Sequence, residues 1–275
     1  MANTIVMVHL ELGRSNAGLL GVAGDLAERL HADVIGIAGC QQILTSYNDG
    51  HVPGDVIVQV RDESKQEIKE AEAEFRQTLR ASVNTLEWRS TVMSASLAEY
   101  IAGEARAADL VITSANSGDM LNAARLINTG ELLMQVGRPV LIVPGNERKW
   151  SLEHVVVAWK DAREARRAAL DALPILKLAK HVTVVELAEE EELADAHIHV
   201  KDVGGWLKRH GVVTECRALQ SAGDEAVQLN AIAHKQGAGV IVAGAYGHSR
   251  LHEFVFGGVT RELLKCEGCC SLMSH

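Results

Sequence analysis

The stretch Gly244–Leu263, GAYGHSRLHEFVFGGVTREL, places glycines at 244, 247, 257 and 258. The apolar, β-branched run Gly239–Ala243 before it reads as a strand, and Val259–Lys265 after it as a helix. The order is therefore strand, glycine turn, a nine-residue excursion between Gly247 and Gly257, glycine pair, helix start. A helix N-terminus offers unsatisfied backbone N–H groups and a partial positive charge. Glycine, lacking a Cβ, lets that backbone close on a phosphate. The groups able to hold one are the backbone at Gly244, Gly247, Gly257, Gly258 and Val259, the Thr260 hydroxyl, and the side chains of His248 and Arg250. Ordinary turns between strand and helix have the same composition, so this spacing alone favours a plain structural role over phosphate binding.

The elements that must position this stretch recur twice. Thr4–Leu10 (TIVMVHL) is an apolar run followed by SNAGLLGVAGDLAERL, with apolar residues at helical spacing, and by ADVIGIAG, a strand again. His154–Lys160 (HVVVAWK), AREARRAALDALPIL and HVTVVEL repeat the pattern. LEWRSTV and VVTECRAL each open a further strand–helix–strand passage. Both halves close with a helix ending in ELL (Glu131–Leu133 and Glu262–Leu264, an offset of 131) and a last strand, RPVLIVP or CCSLMSH. Continuous apolar strands alternating with helices predict an α/β fold in two copies. Each copy is a mainly parallel five-stranded sheet, doubly wound and flanked by helices, over 1–147 and 151–275, with a polar linker near Gly145–Trp150. Ligands of such sheets bind at the carboxyl ends of the strands, where the strand order reverses. That places a pocket between Ala158, Trp159 and Lys160 on one strand and Gly244 on another.

Gly244-x2-Gly247-x9-Gly257 resembles the nucleotide loop of the universal stress protein family, whose pattern is G-x2-G-x9-G-(S/T). The tandem repeat and AWKDAREARRAALDALPIL are similar to tandem members of that family. The resemblance extends over nearly the whole chain and is strongest in the second half. It implies Rossmann-like domains and ATP or another adenine nucleotide, with or without Mg, at the loop of the second half. It also implies a cytoplasmic protein of the stress response, with the halves paired as an intramolecular pseudo-dimer through their last strands, alone or within a homodimer. Two positions depart from the pattern. Gly258 stands where the family has Ser or Thr, with Thr260 two residues on, and Lys160 stands where many members carry Asp, with Asp161 beside it.

In the first half the equivalent loop is Ser114–Leu133. Ser114 and Ser117 align with Gly244 and Gly247, and Leu126, Ile127 or Asn128 stands where the glycine pair should be. Bulky side chains there block close backbone approach, so this half is expected not to hold ATP in the family's manner.

Other features carry less chemistry. Cys266, Cys269, Cys270 and His275 contain half of a zinc-like spacing without a second pair, and Cys269 and Cys270 align with the start of a core strand. His197 and His199 fall on an expected helix, where they diverge. Glu189–Glu192 reads as a solvated helix start. Asp62–Val83 reads as an amphipathic helix with Ile68, Phe75 and Leu79 buried, after a turn-rich loop at Ser46–Asp55. Neither a G-x-S-x-G elbow nor a Walker lysine motif occurs, so enzymatic turnover is not expected beyond slow ATP hydrolysis. A net charge of -9 over 275 residues and a pI near 5.7 disfavour nucleic acid as a partner. No apolar run reaches the ~18–20 residues of a membrane span. Met1–Leu10 lacks a signal peptide's basic region, and five cysteines without a framework fit a reducing cytoplasm. Two further functional classes remain beside nucleotide binding: an adaptor acting through protein surfaces alone, and a metal- or thiol-linked stress protein.

Overall fold

The computed structural model describes residues 4–41, 54–93, 96–115, 126–145, 150–246, 258–265 and 268–275. The chain forms two compact units, Met1–Val136 and Gly137–His275.

The first unit contains β1 (Ile5–His9), α1 (Ala17–Leu30), β2 (Asp33–Gln41), α2 (Gly54–Leu79), β3 (Leu86–Met93), α3 (Leu97–Glu104), β4 (Leu110–Ser114) and α4 (Thr129–Gln135). Its strands lie in the order β3-β2-β1-β4, and each adjacent pair is parallel. Val6, Met7, Val8, Ile35, Ile37, Val111 and Ile112 are buried, as strands covered on both faces require. Capping fixes two helix starts: Ser96 accepts from the Glu99 backbone N–H (3.1 Å) and Asn128 from that of Glu131 (3.1 Å). Helix α2 begins earlier than the charge pattern suggests, at Gly54, so Gly54 and Asp55 are helical rather than part of the preceding loop. Phe75 and Leu79 are fully buried, Phe75 against Trp88 with ring centroids 5.5 Å apart, whereas Ile68 is half-buried. Residues 46–53 of the turn-rich loop lie outside the described residues.

The second unit contains β5 (Val140–Val143), β6 (His154–Trp159), α5 (Arg163–Asp171), α6 (Leu173–Leu176), β7 (His181–Ala188), α7 (Leu193–Arg209), β8 (Thr214–Gln220), α8 (Glu225–Gln236), β9 (Val240–Gly244), α9 (Gly258–Lys265) and β10 (Cys270–Ser274). The strand order is β5-β10-β9-β6-β7-β8. All neighbours are parallel except β5 and β10, which are antiparallel with Leu141 opposite Leu272. The sequence repeat allots five strands to each half. The compact units hold four and six among the described residues, because β5 hydrogen-bonds to the last strand of the second repeat. Residues 146–149 of the polar linker lie outside the described residues.

The architecture is α/β, with mostly parallel strands flanked by helices. In the second unit the strand order reverses at β6: the chain runs outward through β7 and β8, then returns to β9 on the other side of β6. The reversal of strand order, where the sequence reading expects a pocket, is at the carboxyl ends of β6 and β9.

Candidate functional site

At this reversal Ala158 is level with Ala243 in the β6–β9 ladder, which sets Trp159 beside Gly244 one step on. Trp159 is in turn level with Glu186 on β7. Side chains at one level of a parallel ladder share a face. Two contacts show which helices cover this one. A Cβ on Gly244 would sit 2.6 Å from the Ala165 nitrogen and the Glu164 carbonyl carbon of α5, and His199 of α7 reaches Glu186. Gly244 thus has a packing reason to be glycine: the first turn of α5 occupies the space of a side chain. Trp159 is buried, Ala158 is half-buried, and Lys160 and Asp161 are exposed just beyond the strand end.

The turn after β9 is held from two directions. Ala245 N–H donates to the Ser274 carbonyl (2.8 Å), and His275 Nδ1–H donates to the Ala245 carbonyl (3.1 Å). Tyr246 takes a left-handed backbone, φ 63°, unusual for an aromatic residue, and its ring meets His275 edge-on at 5.8 Å. Burial pushes the Tyr246 phenol up to about 12. Tyr246 N–H donates to Thr260 Oγ1 (3.5 Å), and Thr260 is buried. The Thr260 hydroxyl, two residues beyond Gly258, therefore ties the start of α9 to the glycine turn. Val259 is half-buried beside it.

Glu186, level with Trp159, was not among the residues singled out from the sequence. It is 6% exposed, its Oε1 accepts from His199 Nδ1 (3.3 Å), and its Oε2 is inaccessible with no hydrogen-bond partner among the described residues. The same holds for Trp159 Nε1. Burial lifts the Glu186 carboxyl above its ordinary value, His199 opposes this, Asp161 adds to it and Lys160 counters it. Register with Trp159, the last residue of β6, sets Glu186 level with the end of that strand, just before Lys160 and Asp161. The available signal in sequence was a lone acid in an apolar strand, HVTVVEL.

The first unit differs at the positions equivalent to Ala158, Lys160, Gly244 and Gly258. Val8 is level with Ile112, as Val157 is with Val242. With Ser114 aligned to Gly244, this register matches His9 to Ala158 and Glu11 to Lys160. His9 is fully buried, its Nδ1 3.0 Å from Thr113 Oγ1, and burial lowers its pKa to about 4. Glu11 is buried, 3.8 Å from Arg14, and burial raises its carboxyl while Arg14 opposes. Glu74 of α2 accepts from the Asn16 backbone (3.0 Å) and side chain (3.2 Å), so a second carboxylate borders the β1–α1 turn. Ile127, aligned with Gly258, is buried.

No protein-family model and no curated protein matches the chain. Solved structures do. A universal stress protein from Archaeoglobus fulgidus superimposes with a TM-score of 0.75 at 14% identity, over 98% of this chain and 95% of that one. A protein of unknown function from Pseudomonas aeruginosa gives 0.65 at 17%, over 99% and 92%. A proposed universal stress protein from the same species gives 0.62 at 18%, over 99% and 92%.

The chain has the universal stress protein fold.

On this universal stress protein fold the sequence-derived candidates divide into three groups. Ala158, Trp159, Lys160 and Gly244 converge at the strand ends. Gly258, Val259 and Thr260 open α9, with Thr260 joined to the glycine turn. Gly247, His248, Arg250 and Gly257 lie outside the described residues, as does Ser117 in the first unit. Cys266 is also outside them, while Cys269 and Cys270 are buried core residues at β10. Among the described residues no group of three or more His, Cys, Asp or Glu is arranged to hold a metal ion, and no helix is long and apolar enough to cross a membrane. His197 and His199 share α7, but only His199 is hydrogen-bonded to β7.

Proposed function

We propose that this chain is a tandem universal stress protein whose second domain binds ATP or another adenine nucleotide as a cytoplasmic stress sensor or switch. The observation that carries this reading is the link from the Tyr246 backbone to Thr260, which couples the glycine turn at the strand reversal to the N-terminus of α9. The turn's backbone and the helix start then act as one anion cradle, with Lys160 adding positive charge from the adjacent strand end. The site residues are Ala158, Trp159, Lys160, Gly244, Gly247, His248, Arg250, Gly257, Gly258, Val259 and Thr260. In the first domain, buried Ile127 and the carboxylates of Glu11 and Glu74 oppose an anionic ligand. The antiparallel pairing of β5 with β10, the last strands of the two sequence repeats, supports reading the repeats as an intramolecular pseudo-dimer.

The test is equilibrium titration of the purified protein with ATP, with and without Mg, beside Gly257→Asp. The variant sets a carboxylate where the motif brings phosphate. The expected result is saturable binding at one nucleotide per chain, weakened at least tenfold in Gly257→Asp. Absence of binding, or two nucleotides per chain, overturns the proposal.

A second reading has its own support. Gly244 packs against α5 and Thr260 bonds within the protein, so both are accounted for without a ligand. The chain is then an adaptor acting through its surfaces, and the same titration shows no binding.

A further inference from the structure

The face shared by Trp159 and Glu186 holds two buried polar atoms of opposite kind. Trp159 Nε1 is a donor only, and an ionised Glu186 Oε2 is an acceptor only. Neither has a partner among the described residues. They belong to residues paired across adjacent parallel strands, a separation of about 5 Å between backbones. Both stand where β6 ends, and the charges of Lys160 and Asp161 act on the carboxyl from the connection above. An orphaned donor or acceptor in such a position costs about 1–3 kcal/mol, and a group admitted beside them that met both would offset that cost.

The chemistry restricts that group. Phosphate oxygens accept, and they repel a carboxylate. An exocyclic base amine donates, leaving the indole N–H alone. A hydroxyl does both, donating to Oε2 and accepting from Nε1. In doubly wound nucleotide sites an acid at the carboxyl end of the second strand commonly takes a ribose hydroxyl, and β7 is the second strand of this repeat. His199 occupies the other carboxylate oxygen and fixes the direction in which Oε2 is offered.

We propose that Glu186 and Trp159 bind a ribose hydroxyl, so that the second unit selects ribonucleotides over deoxyribonucleotides. This inference rests on the nucleotide reading above. Glu186 is the specificity-determining residue, and Trp159 supplies the complementary donor.

The experiment compares ATP, 2′-deoxy-ATP and ITP on the wild-type protein, Glu186→Leu and Glu186→Gln. Thermal unfolding checks each variant. A hydrogen bond to a charged acceptor predicts that the wild-type protein prefers ATP to 2′-deoxy-ATP by about tenfold or more. Glu186→Leu binds both at the weaker level, and Glu186→Gln, which keeps an acceptor, recovers part of the preference. Three outcomes overturn the inference: no preference in the wild-type protein; a preference that survives in Glu186→Leu, with or without an equal loss of both nucleotides; or a preference for ATP over ITP that vanishes in its place, which would assign the carboxylate to the base. If the wild-type protein binds no nucleotide at all, the nucleotide reading itself has failed, a result separable from the others.

Discussion

Between pH 7 and pH 4 the wild-type protein loses about 3 kcal/mol of unfolding free energy through His9 alone, and His9→Gln does not. The imidazole is fully buried and titrates at about 4 when folded, against 6.5 when exposed. At roughly 1.4 kcal/mol per unit of pKa, that displacement gives the figure. The sign follows from proton uptake. Below 6.5 the unfolded chain binds a proton that the folded chain refuses, so acid favours unfolding until the folded group titrates. The stability is complete above 6.5 and gone below about 4. Glu11 and Glu186, whose carboxyls burial raises, work in the opposite sense and gain stability as pH falls through their folded values. The measurement is therefore the difference between wild-type and His9→Gln urea midpoints across this range. Parallel pH profiles for the two proteins would rule His9 out as the source.

Gly239→Ala is expected to destabilise the second unit by about 3 kcal/mol, at the upper end of ordinary overpacking. A Cβ there would lie 1.9 Å from the Ser151 carbonyl oxygen and 3.0 Å from its carbon. The obstacle is backbone, which has no rotamer to change. Gly239 cannot move aside either, since its N–H donates to His154 O (3.0 Å) and its carbonyl accepts from Cys270 N–H (3.0 Å). Gly205→Ala, within α7, is the matched control. Nothing lies within 4 Å of its new methyl, and alanine's helix preference predicts a gain of up to about 1 kcal/mol. Chemical denaturation of both variants tests the pair, and a loss below about 1 kcal/mol in Gly239→Ala would show that the backbone at Ser151 can draw away from Gly239.

The strands, their alternation with helices and the repeat were legible because parallel strands covered on both faces need unbroken apolar runs, such as VVVAW and VIVA. The meeting of Trp159, Lys160 and Gly244 was legible from topology. The reasons behind individual residues were not. Gly244 looks like a phosphate-binding glycine in sequence, and only the approach of α5 reveals a packing role. Thr260 reads as a free hydroxyl until its bond to Tyr246 is seen. Glu186 carries no motif, and its meaning comes from register with Trp159 and the reach of His199. The start of α2 at Gly54 was hidden because Val56, Ile57, Val58 and Val60 carry a strand-like composition into a helix. The roles of Gly244, Thr260 and Glu186 each involve a partner distant in sequence.

Strand β5 is written in the first repeat, before the polar linker, but hydrogen-bonds in the second unit. The seam visible in the sequence is therefore not the seam of the folded chain. A gene split at the linker would leave β10 with one bonded neighbour in its unit and a bare row of amides and carbonyls along its other side, a ready template for self-association. A cut at residue 137 keeps β5 together with β10, whereas a cut at the linker parts them, so the four residues of β5 decide which division leaves the edge of β10 covered.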